Sequence, residues 1–176
     1  MDRIKKRQSR GLCLQLLFAN NFSENTFNEL LSNFFILDED NKETIKVKSK
    51  SIKSNKSSSD IIDSKAEKEL TTEKNKFNKD QIKYAERLYL SVLKEQKKID
   101  KLIEAKLVNW EMSRLAIMDR MILRMSICEM LFFDDIPPKV SITEAVEIAK
   151  EFSSKDSSGF VNGIMDAVYN EHCVPK

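Results

Sequence analysis

The chain has 176 residues, about a third of them charged, with only three glycines and three prolines. That length supports one domain or two small helical halves with a buried core, and the scarcity of turn residues argues against turn-rich β folds and glycine-cradled nucleotide sites. The net charge of +2 hides an uneven spread: residues 1–10 hold Arg3, Lys5, Lys6, Arg7 and Arg10 against Asp2 alone, whereas residues 38–76 hold ten lysines against nine acids.

Apolar residues recur at helical spacing along most of the chain. A first helix is expected from about residue 3 to 20. Phe27, Leu30, Leu31, Phe34 and Phe35 follow the i, i+3, i+4, i+7, i+8 template, with Ser23 as a cap before them. From Asp38 to Lys76 there is no aromatic, glycine or proline, and the stretch offers too little apolar surface to offset its ordering entropy. It is expected to be a disordered insertion with transient helix around 64–72, either a solvated linker or a lysine-bearing RNA tether. Ala85, Leu88, Tyr89 and Val92 predict a helix after Asp80, and Leu102, Ile103 and Leu107 a short one after Asp100.

Met118, Met121, Ile122, Met125 and Phe132 mark a longer helix that stops before Pro137-Pro138. Ile142, Ala145, Val146, Ala149 and Phe152 mark the next, with Ser141 and Glu144 read as its capping box. The last follows Asp156-Ser157 and carries Phe160, Val161, Ile164 and Val168. The expectation is an all-α chain of two small helical bundles and about seven helices. Residues 1–37 and 77–97 form the N-terminal half, 38–76 the insertion and 98–176 the C-terminal bundle.

Apolar runs are too short to span a bilayer, and Met1-Asp2-Arg3 leads into polar residues rather than a signal sequence, so a soluble cytoplasmic chain without a membrane partner is expected. Cys13, Cys128 and Cys173 are odd in number and widely separated, as free thiols in a reducing compartment would be. The single histidine, His172, has no partner triad in view, and Asp134-Asp135 read as turn chemistry at a helix end. No catalytic residue, metal site or cofactor is expected.

The first helix carries the clearest signal. Arg3, Lys6, Arg7 and Arg10 fall on one side of it. Cations at a helix start oppose the macrodipole at about 0.3–1 kcal/mol apiece, so either a polyanion such as RNA favours them or they form a solubilising basic tail. Leu12, Cys13, Leu16 and Leu17 make one apolar face, while Leu14 and Phe18 prolong the cationic line. Beyond Gly11 the helix is therefore either buried all round or receives a partner on its second side.

Several segments resemble the NusB family of bacterial transcription antitermination factors. They are Lys6-Arg7-Gln8-Ser9-Arg10 running into Cys13-Leu14-Gln15-Leu16-Leu17-Phe18, Met118-Asp119-Arg120-Met121-Ile122-Leu123-Arg124 with Glu129-Met130-Leu131, the continuous run 136–150 that opens on Ile136-Pro137-Pro138-Lys139-Val140, and the run 156–166 that opens on Asp156-Ser157-Ser158-Gly159-Phe160. The resemblance implies an all-helical, non-enzymatic protein. Such a protein binds single-stranded boxA-type RNA of ribosomal RNA operons together with NusE, a small-subunit ribosomal protein, and joins an RNA polymerase antitermination complex, as monomer or homodimer.

By position, Arg3, Lys6, Arg7, Arg10, Asp156, Ser157 and Phe160 would meet RNA. Leu14, Phe18 and Asp119 would meet NusE. Phe160 either stacks on an unpaired base or is an ordinary core residue, and Asp119 is either a partner contact or a surface charge. Phe18 stands where the family often has tyrosine and lacks its hydroxyl. Asn162-Gly163 suits a helix poorly, and close packing of a neighbouring helix at Gly163 would explain the glycine. Two other readings stay open: a helical interaction or dimerisation module, and the RNA-binding portion of an RNA cytosine methyltransferase, whose glycine-bearing catalytic domain this chain does not contain.

Overall fold

The computed structural model describes residues 1–22, 26–37, 44–47, 77–108 and 111–174, with the backbone alone for 32–37 and 44–47. Helix α1 spans Arg3–Asn20 and opens on Asp2, whose carboxylate accepts the Lys5 N–H at 2.8 Å, an anionic cap against the cationic first turns. Helix α2 spans Phe27–Phe34. Ser23, expected to cap it, lies outside the described residues, and Thr26 serves instead. The Thr26 N–H and hydroxyl both donate to Glu29, while the Glu29 N–H reaches the Thr26 hydroxyl at 3.4 Å.

Strands β1 (Phe35–Leu37), β2 (Thr44–Val47) and β3 (Phe77–Asn78) form a small antiparallel sheet in the order β1-β2-β3, with Phe35 opposite Val47 and Ile45 opposite Phe77. Four residues of the expected insertion thus pair into this sheet. The rest of it, including the transient helix around 64–72, lies outside the described residues.

Helix α3 spans Lys79–Glu104 without a break, so the two helices expected after Asp80 and Asp100 are one. The reason is local. No glycine or proline interrupts 79–104, Ile99 and Ile103 continue the buried stripe of Leu88 and Val92, and Asp100 does not cap a helix start. It accepts Arg124 Nε at 2.7 Å and Nη2 at 2.8 Å instead. The true start is capped by Asn78 and Gln81 in a reciprocal box, and Gln81 Nε2 also donates to Gln8 of α1 at 2.8 Å. The division expected at residue 97 falls inside this helix.

A 3-10 turn at Met112–Arg114 leads into α4 (Ile117–Phe132), followed by α5 (Pro138–Phe152) and α6 (Ser157–His172). Six α-helices stand among the described residues rather than seven. Helix α5 begins at Pro138, whose fixed φ suits a first helical position. Ser141 and Glu144 are therefore not its capping box; they already lie within the helix and serve other elements. α1 packs on α3 and α4, α4 on α5, and α5 on α6. One buried apolar cluster joins Leu12, Leu14 and Leu16 of α1 to residues of every other helix, each large side chain contributing about 1.5–3 kcal/mol of burial. No described helix is long and apolar enough to cross a membrane.

Candidate nucleic-acid interface

The cationic stripe of α1 is anchored by two buried acids. Glu144 of α5 accepts Arg7 Nε at 2.7 Å, Arg7 Nη2 at 2.9 Å and Arg3 Nε at 3.1 Å, and Arg10 Nη1 stands 3.5 Å away. Glu129 of α4 accepts Arg10 Nε at 2.8 Å, the Ser141 hydroxyl at 2.6 Å and the buried Tyr84 hydroxyl. Burial alone would push the Glu144 carboxyl up, but hydrogen bonds from Arg7 and Arg3 and the charge of Arg10 hold it below the usual carboxylate range. The same contact lifts the Arg7 guanidinium above its ordinary value.

These pairs sort the stripe by depth. The Arg10 side chain is 3% exposed and spent on the two glutamates, so it fixes α1 and does not face solvent. Arg7 is about a third exposed, at 35%, while Arg3 keeps 70% of its side chain in water. Arg3 and Lys6 line a groove of about 540 Å³ with Pro137, Lys139, Val140 and Glu144. Lys6 Nζ also lies 3.9 Å from Asp135. Four cations, Arg3, Lys6, Arg10 and Lys139, thus line the groove against two acids, Glu144 and Asp135, which leaves it net positive although Arg3 and Lys6 each touch one of those acids.

Phe160, Asp156 and Ser157 come together at the start of α6, in a different cleft of about 760 Å³ that Asp119, Lys106 and Leu115 also line. Asp119 is 8% exposed. It accepts the Ser157 hydroxyl at 3.0 Å and the Ser153 hydroxyl, so it tethers the turn between α5 and α6 rather than standing as a surface charge. Phe160 is half-buried: one part packs on the core and the rest faces the cleft. A Cβ added at Gly163 would meet nothing within 4 Å, which overturns the expected close helix contact there. Gly159 and Gly163, one turn apart, keep the cleft wall beside Phe160 open.

Of the expected protein-contact residues, Leu14 is fully buried in the core, and its side of α1 is covered within the chain. Phe18 is half-buried and meets the exposed ring of Phe22 edge-on, with centroids 5.1 Å apart. Phe22 lies outside the periodic pattern, since it follows the helix end. In the sequence Glu144 reads only as a helix cap and as part of a family-like segment, and Glu129 only as part of another, neither as a buried partner of the α1 arginines. An acid inside the apolar run Ile127-Cys128-Glu129-Met130-Leu131 needs a buried counter-charge, and the basic stripe of α1 supplies it.

Known proteins match this chain at several levels. It is 54% identical over 81 residues to the transcription antitermination protein NusB of Chloroherpeton thalassium, a match covering 46% of this chain but 38% of that protein. It is 45% identical over 106 residues to its namesake in Natranaerobius thermophilus, covering 60% of this chain and 76% of the other. The fold superposes on T. maritima NusB with a TM-score of 0.67 and 28% identity, covering 96% and 93% of the two chains. It also superposes on a crystal structure of the antitermination factors NusB and NusE in complex with dsRNA, at a TM-score of 0.65, 19% identity and coverages of 97% and 100%. The NusB family model matches residues 43–170, and the chain belongs to the NusB family.

Proposed function

We propose that the chain is an RNA-binding antitermination factor that takes single-stranded boxA-type RNA together with NusE and supports read-through by RNA polymerase. The observation that carries this reading is the ordered cationic groove at the start of α1. There Lys139 and the outer part of Arg3 stay open to phosphates, with Lys6 half-buried beside Asp135, while Arg10 and Arg7 lock the helix through Glu129 and Glu144. Relatives named as transcription antitermination proteins agree with it.

Arg3, Lys6 and the outer part of Arg7 take the phosphate backbone, and Arg10 acts as a positioning residue behind them. Phe160 offers its free face to an unpaired base, in a cleft that Asp156 and Ser157 border. The Phe18–Phe22 pair is the apolar surface for the ribosomal partner, and Asp119 acts on the RNA side by holding Ser157. Gel shifts with boxA RNA, this protein and NusE should give a ternary species that weakens steeply as salt rises. Absence of any complex at low salt overturns the reading.

A further inference from the structure

The outward face of α3 carries a cationic line that the site above leaves unused. Lys83, Arg87, Leu90, Lys94, Lys97 and Lys101 recur at intervals of four, three, four, three and four residues, which places them along one face. All six are exposed. Lys98, beside the line, stands 5.0 Å over the Phe132 ring. Like charges one turn apart, such as Lys83 with Arg87, oppose helix formation, so helix stability does not account for the line before its last turn, where Lys101 suits the helix dipole.

Among the described residues Lys83, Lys97 and Lys101 make no ion pair, and Lys94 reaches only its chain neighbour Glu95, at 3.9 Å. Arg87 gives the line its direction. Asp135 Oδ1 lies 3.0 Å from Arg87 Nη1, and Oδ2 of the same carboxylate lies 3.9 Å from Lys6 Nζ. The line on α3 therefore begins beside the groove of α1, against which α3 packs.

We infer that this face is a second contact surface for the same RNA, a track for the phosphate backbone that reads no sequence; it rests on the reading of the α1 groove as an RNA site. The face has no aromatic residue, and its exposed apolar side chains are Leu90 and the bordering Leu93 alone, so it lacks a platform for bases and offers a protein partner only a narrow apolar strip among cations. Lys83 to Lys101 covers about 27 Å at 1.5 Å per residue, enough for up to about eight nucleotides at the spacing of about 3.4 Å in a stacked strand and for fewer of an extended one.

The test is fluorescence anisotropy with a boxA oligonucleotide and with versions extended by about eight nucleotides of unrelated sequence at either end, using the wild type and K94A/K97A/K101A. In the wild type one extension should tighten binding and steepen the log-log salt slope by about 2, at about 0.7 per neutralised phosphate of a single strand. The triple variant should lose that gain and keep wild-type affinity for the short oligonucleotide. An extension that adds nothing in the wild type overturns the track. So does a triple variant that binds the extended RNA as the wild type does, or displacement by polyglutamate as effective as displacement by RNA of equal charge. If the short oligonucleotide fails to bind while the extended one binds through these lysines, the track stands and the α1 groove is refuted as the primary site.

Discussion

Arg7 grips Glu144 with two parallel hydrogen bonds, Nε at 2.7 Å and Nη2 at 2.9 Å, joining the basic end of α1 to the second turn of α5. The Glu144 side chain is 1% exposed, so the fork is shielded from salt at its acidic end. It converts what could be a frayed tail into a fixed surface. Removing the carboxylate leaves Arg7 and Arg10 without their shared partner, and Glu144→Ala should destabilise the protein by about 3–5 kcal/mol in urea melts.

Glu144 also sets a pH dependence. Its carboxyl is held below the ordinary 4.5 in the folded chain, so the unfolded chain binds the proton first as pH falls. Its contribution is complete above the ordinary value and is lost as pH drops through the lower folded value. Unfolding free energy should hold between neutrality and mild acid and decline on further acidification, and Glu144→Gln should flatten that decline.

Depth along the stripe separates folding from binding. Arg10→Ala strips Glu129 of its buried cation and should cost about 3–5 kcal/mol of stability, which makes it a poor probe of RNA contact. Lys139→Ala should shift stability by no more than about 0.5 kcal/mol, and Lys6→Ala, whose side chain sits 26% exposed between Asp135 and the Tyr84 ring, by about 1 kcal/mol. Each should lower the salt slope of RNA binding by about 1 while weakening all RNA sequences alike.

The cleft at α6 gives an opposed pair of outcomes. Gly163→Ala meets open space on a helix and should raise stability by about 0.5–1 kcal/mol in thermal melts. Phe160→Ala should cost about 1–3 kcal/mol of RNA affinity, measured by anisotropy, if its ring stacks on a base.

At the other end of α1, Leu14 and Phe22 should behave in opposite ways. Leu14→Ala opens a cavity in the core and should cost about 2–5 kcal/mol of stability, seen in urea melts. Phe22→Ala should leave folding intact and weaken NusE binding by about 1 kcal/mol or more in calorimetry.

Periodicity and punctuation made most of the helices legible. α1, α4 and α6 fall where their apolar spacing and the Pro137-Pro138 stop place them. α3 read as two helices because Asp100 mimics a helix start, and only the distant Arg124 reveals its use. Ser141 and Glu144 misled in the same way: their spacing fits a local cap, but Pro138 starts the helix earlier and turns both toward α4 and α1. Whether Leu14 faced a partner or the core could not be settled from one helix, because the covering surface comes from elements far away in sequence. The four residues of β2 hide in a lysine-rich stretch, where pairing with β1 and β3 is a tertiary event.

The most direct measurement is NMR mapping of the protein during titration with boxA RNA at low salt. The account predicts that shifts concentrate on Arg3, Lys6, Lys139 and Phe160, with Arg10 and Leu14 moving little. Shifts confined to other surfaces, or a spectrum unchanged at saturating RNA, would contradict it.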